Sequence, residues 1–285
     1  MRDIIVLEKN DSEYPEKLLK ITDAPEKLFV LGNLELIRKI SVGIIGSREC
    51  TEYGWYQAYK FSNGLAKKNI CIVSGLAIGI DSAAHIGAKE ECGKTIAVLG
   101  SGFNNIYPDE NENLFYSILK NDGCVISEYE PDVLPDSSNF PKRNRIVSGL
   151  SDAILVVEAK YRSGTTITAN YAKQQGKDIF CIPSNLGIKA GYGTNKMISE
   201  GAKIALEVED ILKDIKIKQN TKKRKIDIDD ESLLVYESIE NQPTHINEIC
   251  KKTKLSIIKV NSIITMLEIE GYIKQIQGGS FIKAR

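Results

Sequence analysis

Short apolar stretches alternate with longer amphipathic stretches from residue 40 onward. Each apolar stretch has four to six residues rich in Ile, Val and Ala, which is typical of strands buried on both faces of a sheet. The predicted strands cover residues 40–45, 70–73, 95–99, 124–127, 153–157 and 178–182, and the predicted helices cover residues 55–68, 82–91, 111–120, 143–150 and 166–175. Because strands that alternate with helices form parallel sheets covered on both faces, the pattern predicts a Rossmann-like α/β domain over residues 40–212.

The segments before and after this domain differ from it in pattern. Residues 1–39 are charged and mixed, with little apolar content for an independent core, so we expect a short N-terminal lead-in that packs on the domain. Residues 213–230 contain the run Lys222-Lys223-Arg224-Lys225 among polar residues, which favours a flexible linker over a nucleic-acid tail.

Residues 231–285 predict a C-terminal winged-helix domain. Helices are expected over residues 231–240, 245–252 and 257–270, with Thr244 and Ser256 as N-caps, and a β-hairpin is expected around Gly278-Gly279. The segment has seven basic and six acidic residues, so a protein-contact or dimerisation role is as compatible with it as binding in a DNA groove.

Composition narrows the class of protein. Hydrophobic residues make up 42% of the 285 residues and charged residues 27%, the balance of an ordinary globular chain. The longest unbroken apolar run, residues 153–157, is far shorter than the roughly 20 residues of a membrane-spanning helix, so we expect a cytoplasmic protein without a membrane partner. The six cysteines form no Cys-x-x-Cys pair, which favours free thiols over a metal or redox site.

Glycine-rich turns follow several of the predicted strands. They cover residues 43–48, 74–81, 100–102 and 163–166. In a parallel sheet these turns meet at the carboxyl ends of the strands, where glycine exposes backbone N–H groups and helix N-termini attract anions. Any one turn is explained as well by tight packing, but the set predicts a phosphate-binding site. Total charge is zero, yet residues 139–177 hold seven basic and two acidic residues, which supports that site.

The segment Phe140-Pro141-Lys142-Arg143-Asn144-Arg145 concentrates this positive charge. Pro141 suits the first turn of a helix, and the arginines suit phosphate oxygens. One or two of the three cations are expected to be structural, paired with Glu128, Glu130 or Glu158. We also expect Asp81 to contact His85 one helical turn away.

Motifs for catalysis and for cofactors are missing from the chain. It has no Gly-x-Gly-x-x-Gly after the first strand, no Gly-x-x-x-x-Gly-Lys-Ser/Thr, no Gly-x-Ser-x-Gly and no His-Glu-x-x-His. We therefore assign no catalytic residue, no metal and no cofactor.

Six motifs together resemble a known family. They lie at residues 42–48, 74–85, 95–108, 127–129, 140–146 and 157–165. Their order and spacing are similar to those of the bacterial DNA-processing protein A family (DprA, also called Smf) over about residues 10–210. The resemblance implies an extended Rossmann-like domain, often with a C-terminal winged helix. It also implies a homodimer that binds single-stranded DNA, protects incoming DNA in natural transformation and loads the RecA recombinase, without a catalytic step.

Residue by residue, the resemblance places DNA contacts at the Gly-Ser-Arg turn, the Lys-Arg-Asn-Arg segment and the loop after the fifth predicted strand. The candidate DNA-binding residues are Gly46, Ser47, Arg48, Lys142, Arg143, Asn144, Arg145, Ser163, Gly164 and Thr165. Two other hypotheses stay open. One is a nucleotide-binding or nucleotide-hydrolysing enzyme related to phosphoribohydrolases, with Glu128 or Glu158 as the carboxylate. The other is a duplex-binding regulator that acts through its winged helix.

Overall fold

A computed structural model describes residues 3–91, 94–161, 163–215, 229–239, 244–269, 272–276 and 279–283. The chain forms two compact units, Met1–Ile217 and Lys218–Arg285. Within the described residues, no helix has the length and apolar character needed to cross a membrane.

The first unit alternates strands and helices. Its strands are β1 (Ile5–Glu8), β2 (Lys27–Gly32), β3 (Ser41–Ile45), β4 (Cys71–Ser74), β5 (Thr95–Leu99), β6 (Cys124–Ser127), β7 (Ala153–Val156), β8 (Asp178–Cys181) and β9 (Lys203–Ile204). Its α-helices are α1 (Glu16–Leu19), α2 (Glu52–Lys67), α3 (Ile80–Lys89), α4 (Glu112–Lys120), α5 (Asn139–Leu150), α6 (Gly164–Gln174), α7 (Tyr192–Ser199) and α8 (Val208–Asp214). Short 3₁₀ helices lie at Leu34–Arg38, Asp109–Asn111 and Lys189–Gly191.

These strands form one nine-stranded sheet in the described part of the chain, in the order β1-β2-β6-β5-β4-β3-β7-β8-β9. The strands from β3 onward are parallel, as the alternating pattern predicts. Strand order reverses between β3 and β7, and in such sheets the carboxyl ends of the two central strands open a crevice for ligands.

The lead-in contributes two antiparallel strands to this sheet. β2 pairs with β6, with Phe29 opposite Ser127, and β1 covers the outer edge of β2. The alternation of strands and helices begins after both strands, so it does not indicate them. Between them, Tyr14 is buried and donates a hydrogen bond of 2.6 Å to the carbonyl oxygen of Pro25. The lead-in thus completes one side of the sheet.

Two apolar layers cover the sheet. Leu18, Ile146 and Leu150 belong to the layer that includes α5, whereas Phe61, Leu65 and Ile80 belong to the layer formed by α2 and α3. Because both faces of β3 are covered, all five of its residues are buried. The α/β class is therefore confirmed.

The second unit has helices α9 (Asp230–Ser238), α10 (Ile246–Thr253) and α11 (Ile257–Ile269). A small antiparallel sheet holds β10 (Thr244–His245), β11 (Ile273–Ile276) and β12 (Ser280–Lys283), with β12 between the other two. This is the expected winged helix. The predicted cap at Thr244 is wrong, because Thr244 pairs with Phe281 in the sheet and the His245 side chain accepts the hydrogen bond from the Asn247 N–H. Most of the expected linker lies outside the described residues.

The cysteines of the described chain are free. Cys71, Cys124 and Cys181 are buried in the first unit, and Cys50 and Cys250 are partly buried. Cys92 lies outside the described residues. No group of three or more metal-ligating side chains occurs in the part of the chain that the structure covers.

Candidate functional site

A cavity of about 530 Å³ opens at the carboxyl ends of β3, β4 and β7, beside the point where strand order reverses. The turns that follow these strands form its wall, together with the first turns of α5 and α6. Its lining includes Gly46, Ser47, Arg48, Glu49, Gly75, Asp81, Phe140, Arg143, Asn144, Lys160, Ser163, Gly164 and Thr165. Eight of the ten predicted site residues therefore lie around one cavity.

The turn after β3 directs Arg48 toward the cavity. A side chain at Gly46 would place Cβ 2.5 Å from Cγ1 of Ile80, so only glycine allows this close approach to α3. The Ser47 hydroxyl donates a 2.9 Å hydrogen bond to the carbonyl oxygen of Glu49, which tightens the turn. Arg48 itself is exposed, with its guanidinium carbon 5.6 Å from the centre of the Phe140 ring. Among the described residues, no carboxylate forms an ion pair with it.

The N-terminus of α6 faces the same cavity. Ser163 is the N-cap residue, and its backbone N–H donates a 3.0 Å hydrogen bond to the Thr166 hydroxyl, which in turn donates to the carbonyl oxygen of Ser163. A Cβ at Gly164 would meet nothing within 4 Å, so this corner of the site is open. The first N–H groups of a helix have no carbonyl partner within it and carry partial positive charge. The arrangement suits an anion.

Arg143 lies in the cavity wall, but its guanidinium is buried. It donates hydrogen bonds to the carbonyl oxygens of Gly75 and Val98, and its Nε donates at 3.1 Å to Oδ1 of Asn144. A Cβ at Gly75 would lie 2.6 Å from Nη2, so the guanidinium packs directly under that turn. Burial lowers the pKa of Arg143 to about 10, and Asp81 partly opposes this, so the group stays charged at neutral pH.

Asp81 fixes the backbone above Arg143. Its Oδ2 accepts hydrogen bonds from the N–H groups of Gly75 at 3.1 Å and Ala77 at 3.4 Å, around Leu76, whose φ of 58° is left-handed. Burial raises the pKa of the Asp81 carboxyl, while the Arg143 charge and the hydrogen bonds oppose that rise. Asp81 and Arg143 therefore support the turn after β4 from below.

The predicted contact between Asp81 and His85 is wrong. Nδ1 of His85 lies 2.7 Å from Oγ1 of Thr95, and that hydroxyl donates to the carbonyl oxygen of Ile72. The Thr95 oxygen must then accept from Nδ1–H, which leaves Nε2 without a proton; Nε2 is also buried without a hydrogen-bond partner. Burial lowers the pKa of His85 to about 3, so the ring is neutral. The Asp81 carboxylate accepts hydrogen bonds from the N–H groups of the turn and forms none with the His85 imidazole.

Two predicted site residues lie outside the cavity lining. Lys142 is exposed on α5, and Arg145 forms an ion pair with Glu128, with Nη2 2.6 Å from Oε1. The expected structural pairing of one arginine with Glu128 is thus confirmed for Arg145. Arg162, one of the seven basic residues counted in the sequence, lies outside the described residues.

The two acidic residues considered for catalysis have structural partners. Glu128 holds Arg145, and Glu158 accepts hydrogen bonds from the backbone N–H and the hydroxyl of Thr51, at 2.9 and 2.5 Å, at the start of α2. Neither lines the cavity. The acids that do line it are Glu49, which pairs with Lys160, and Asp81, which holds the turn.

The candidate residues predicted from the sequence leave out Glu49, Lys160 and Asp81, although Asp81 ends the predicted turn at residues 74–81 and Lys160 lies in the basic segment 139–177. Glu49 directly follows Arg48, and Lys160 follows Glu158 at the end of β7, so both positions are near predicted turns. Glu49 and Lys160 form an ion pair although they are 111 residues apart. This pairing depends on the adjacency of β3 and β7, which the order of strands along the chain does not reveal.

An extended, mostly parallel sheet with a glycine-lined cavity at the carboxyl ends of its strands places the protein in the Rossmann-type α/β class. Family comparison makes this specific. The chain belongs to the DprA family, since the family described as DNA recombination-mediator protein A matches residues 5–216 and the DprA winged helix domain matches residues 220–279.

Individual relatives agree with this membership. Protein Smf of Escherichia coli (strain K12) is 36% identical, over 94% of this chain and 75% of its own length. The structure of DNA processing protein A from Streptococcus pneumoniae is 40% identical with a TM-score of 0.70, over 75% of each chain. DNA processing protein A from Helicobacter pylori, whose structure is described for its single-stranded DNA binding mode, is 30% identical with a TM-score of 0.67, over 74% of this chain and 94% of that one.

Proposed function

We propose that this protein binds single-stranded DNA, with a phosphate of the backbone seated in the cavity between the turn after β3 and the N-terminus of α6. The observation that carries the proposal is Arg48, an exposed guanidinium without an acidic partner in the described chain, at a cavity lined by glycine turns. Arginine recognises phosphate through paired hydrogen bonds, and helix N–H groups add to it. The Helicobacter pylori relative with a described single-stranded DNA binding mode supports the same ligand.

Aromatic rings beside the cavity favour an unpaired strand over a free nucleotide. Phe140 and Tyr107 both line the cavity, with ring centres 5.3 Å apart, and Tyr107 is substantially exposed. Bases of a single strand stack on such rings without sequence preference. We therefore expect affinity that falls with salt and changes little with sequence.

A hydrolytic role has less support than a binding role. Glu128 and Glu158 are held by Arg145 and Thr51, and Asp81 accepts hydrogen bonds from the turn below the cavity. Acid–base catalysis needs a group within hydrogen-bond reach of the proton that it moves. We accordingly propose a non-catalytic protein, and release of free base from nucleoside monophosphates by the purified chain would contradict that assignment.

Family membership extends the proposal to partners. We propose that the chain acts as a homodimer in the cytoplasm, protects incoming single strands during natural transformation and loads RecA onto them. This part is tested by RecA filament formation on single-stranded DNA, measured with and without the protein. A protein that binds DNA but never speeds filament formation would remove the recombinase from the proposal and leave the binding site intact.

The direct test of the cavity is Arg48→Glu. We expect affinity for a labelled oligothymidylate to fall at least tenfold, because a phosphate-binding cation becomes an anion, while the melting temperature stays nearly unchanged because Arg48 is exposed. Lys60→Glu is the matched control, since it makes the same charge change at an exposed position of α2 outside the cavity lining. Equal affinity of the two variants would refute the cavity as the DNA site.

A further inference from the structure

A groove of about 910 Å³ lies in the first unit between α4, β2 and the residues that precede β1. Its floor is apolar, with Leu31 from β2, Phe115 and Leu119 from α4, and Phe103 from the segment after β5. Tyr116 also lines it and is 48% exposed. We name this space the α4 groove. It shares no lining residue with the proposed DNA cavity.

The α4 groove lies where one face of the sheet is open. Val6 and Phe29 are direct partners on β1 and β2 and therefore share a face, and Leu31 lies on that face too. Over β1 this face remains accessible, since Val6 is 47% exposed and Ile4 39%. On the opposite face, Leu7 is buried in the layer that includes α5. An open sheet face beside α4 has the shape of a site for one further helix, because apolar sheet faces are normally buried by helices.

The edge of the α4 groove is acidic. Asp3, Asp109 and Glu112 line it, all three are exposed, and none of their carboxylates has an ion-pair or hydrogen-bond partner among the described residues. Lys120, at the other end of α4, is the only basic residue of the described lining. The surrounding sequence has the same sign, with eight acidic residues and one basic residue over residues 101–138. Negative charge of this density disfavours DNA and attracts a cationic partner.

The combination of an apolar floor and an acidic edge defines the chemistry of the occupant. A small cation would leave the floor unburied, and no group of three metal-ligating side chains occurs in the described part of the chain. The occupant must bring apolar side chains for the floor and positive charge for the edge. An amphipathic helix with lysine or arginine beside its apolar stripe supplies both.

We propose that the α4 groove binds a basic amphipathic helix of a partner protein. The apolar stripe of that helix lies on Leu31, Phe115 and Leu119, and its basic residues face Asp109 and Glu112. Binding of single-stranded DNA at Arg48 does not require this surface, so the two sites can fail independently. A single helix buries less than the roughly 1,600 Å² of a standard interface, so we expect a dissociation constant in the micromolar range.

A model helix tests the α4 groove in the full chain. The probe is a fluorescein-labelled peptide of about 18 residues, long enough to form a helix, with leucine anchors at i, i+4 and i+7, flanking lysines and alanine elsewhere. One control peptide has glutamate in place of every lysine. The other has the composition of the lysine peptide in scrambled order, which removes the apolar stripe. In fluorescence anisotropy we expect both controls to bind at least tenfold more weakly than the lysine peptide.

Two substitutions locate the peptide. We expect Glu112→Lys to weaken binding of the lysine peptide at least fivefold, because an anion at the groove becomes a cation, and Tyr116→Ala to do the same, because apolar contact surface is lost. Glu52→Lys is the matched control for charge, since Glu52 is exposed in the first turn of α2. Tyr56→Ala is the matched control for the ring, since Tyr56 is 56% exposed on the same helix. Both control variants should bind the peptide like the natural chain, and all four should keep its melting temperature.

The other outcomes overturn the proposal. These are absence of binding by the lysine peptide, equal binding by either control peptide, and unchanged binding by either groove variant. If Tyr116→Ala lowered affinity for oligothymidylate as much as Arg48→Glu, the groove would belong to DNA. If peptide binding weakened as the protein concentration rose, a second copy of the chain would occupy the groove.

Discussion

Arg48 and Arg143 line the same cavity but differ in what surrounds the guanidinium. Arg48 is exposed over the Phe140 ring, whereas Arg143 is 4% exposed and donates to the carbonyl oxygens of Gly75 and Val98. The sequence shows two arginines near glycine turns, but it does not show which of them donates its hydrogen bonds to backbone carbonyl oxygens. Among the described residues, the Arg48 guanidinium keeps its donors free, whereas the Arg143 guanidinium is bound within the cavity wall.

This difference predicts that replacing each arginine by leucine affects a different property: protein stability for Arg143 and DNA affinity for Arg48. We expect Arg143→Leu to lower the free energy of unfolding by at least about 3 kcal/mol, because two buried carbonyls and Asp81 lose their partner. Arg48→Leu should leave stability unchanged and weaken DNA binding. Urea denaturation measures the first quantity. An Arg143→Leu protein as stable as the natural chain would contradict the structural role.

The position of Glu49 at the cavity predicts that its replacement raises the affinity for single-stranded DNA. Its carboxylate lines the cavity and pairs with Lys160, and the hydrogen bond from that lysine lowers the pKa of Glu49, so the acid is ionised. We expect Glu49→Gln to raise affinity for single-stranded DNA about twofold to fivefold, because an anion leaves the site and Lys160 is released for phosphate. Glu35→Gln, an exposed position before the start of β3, is the control. Weaker DNA binding by Glu49→Gln than by the natural chain would contradict this prediction and show that Lys160 needs Glu49 to hold it at the cavity.

His85 predicts a pH dependence of stability. Its pKa is about 3 in the folded protein and 6.5 when free, so as pH falls the unfolded chain takes up the proton first. The stability contributed by neutral His85 is full above pH 6.5 and is lost between 6.5 and 3. By pH 5 this loss is about 2 kcal/mol relative to pH 7.

We expect His85→Asn to be less stable at pH 7 and to lose about 2 kcal/mol less than the natural chain between pH 7 and pH 5. The raised pKa of Asp81 acts in the opposite direction, because there the folded state takes up the proton first, and it is present in both proteins. Urea denaturation at the two pH values gives the comparison. Parallel curves for the two proteins would mean that His85 is not the titrating group.

At the scale of elements, the start of α2 depends on a residue from another strand. Glu158 follows β7 and accepts from the N–H and hydroxyl of Thr51, the N-cap residue of α2. A Cβ at Gly54 would lie 2.3 Å from Cδ of Glu158, so the carboxylate occupies the space above that glycine. Negative charge at a helix N-terminus is stabilising.

We expect Glu158→Ala to lower the free energy of unfolding by about 2 kcal/mol, because buried donors at the helix start lose their acceptor. Gly54→Ala should also destabilise the protein, because its methyl group displaces the carboxylate. The double variant should cost less than the sum, since Glu158→Ala makes room for that methyl group. Strict additivity in thermal unfolding would contradict the contact.

Elements buried on both faces could be predicted from the sequence because their apolar residues are continuous. The strands at residues 95–99 and 124–127 match β5 and β6, and the others agree within about one residue. Short apolar runs at residues 4–7 and 28–31 overlap β1 and β2, but the place of these strands in the sheet could not be predicted, because an antiparallel partner 98 residues away leaves no mark in a local pattern. The predicted N-cap at Thr244 is wrong for a related reason. A threonine before a helix is typical of an N-cap, and the local sequence does not show that Thr244 pairs with a distant strand instead.

The cavity could be predicted in part for the same physical reasons. Glycine turns after parallel strands must share one edge of the sheet, which brought Gly46, Ser163 and Gly164 together as expected. The sequence predicts that one or two of the three cations on α5 are structural, but it does not show which, because it does not reveal the side-chain directions; Lys142 and Arg145 lie outside the lining.

At the scale of the whole molecule, charge is balanced, with 38 basic and 38 acidic residues. Long-range attraction to DNA is therefore weak, and the proposed binding depends on a few local cations such as Arg48, Lys142 and Lys160, the last of which exchanges Glu49 for a phosphate. Three neutralised phosphates predict a slope of about −2 for the logarithm of the binding constant against the logarithm of salt concentration. Fluorescence anisotropy at several salt concentrations measures it, and a slope near −6 would require a much larger basic surface.

The pairing of β2 with β6 has a consequence for synthesis on the ribosome. Phe29 finds its partner Ser127 only after 98 further residues have been made, which takes about 5 to 20 s in bacteria. Through that interval the nascent chain carries an apolar strand, Lys27–Gly32, with one edge unmatched. Newly made chains on crowded polysomes would thus be most prone to aggregate before β6 emerges.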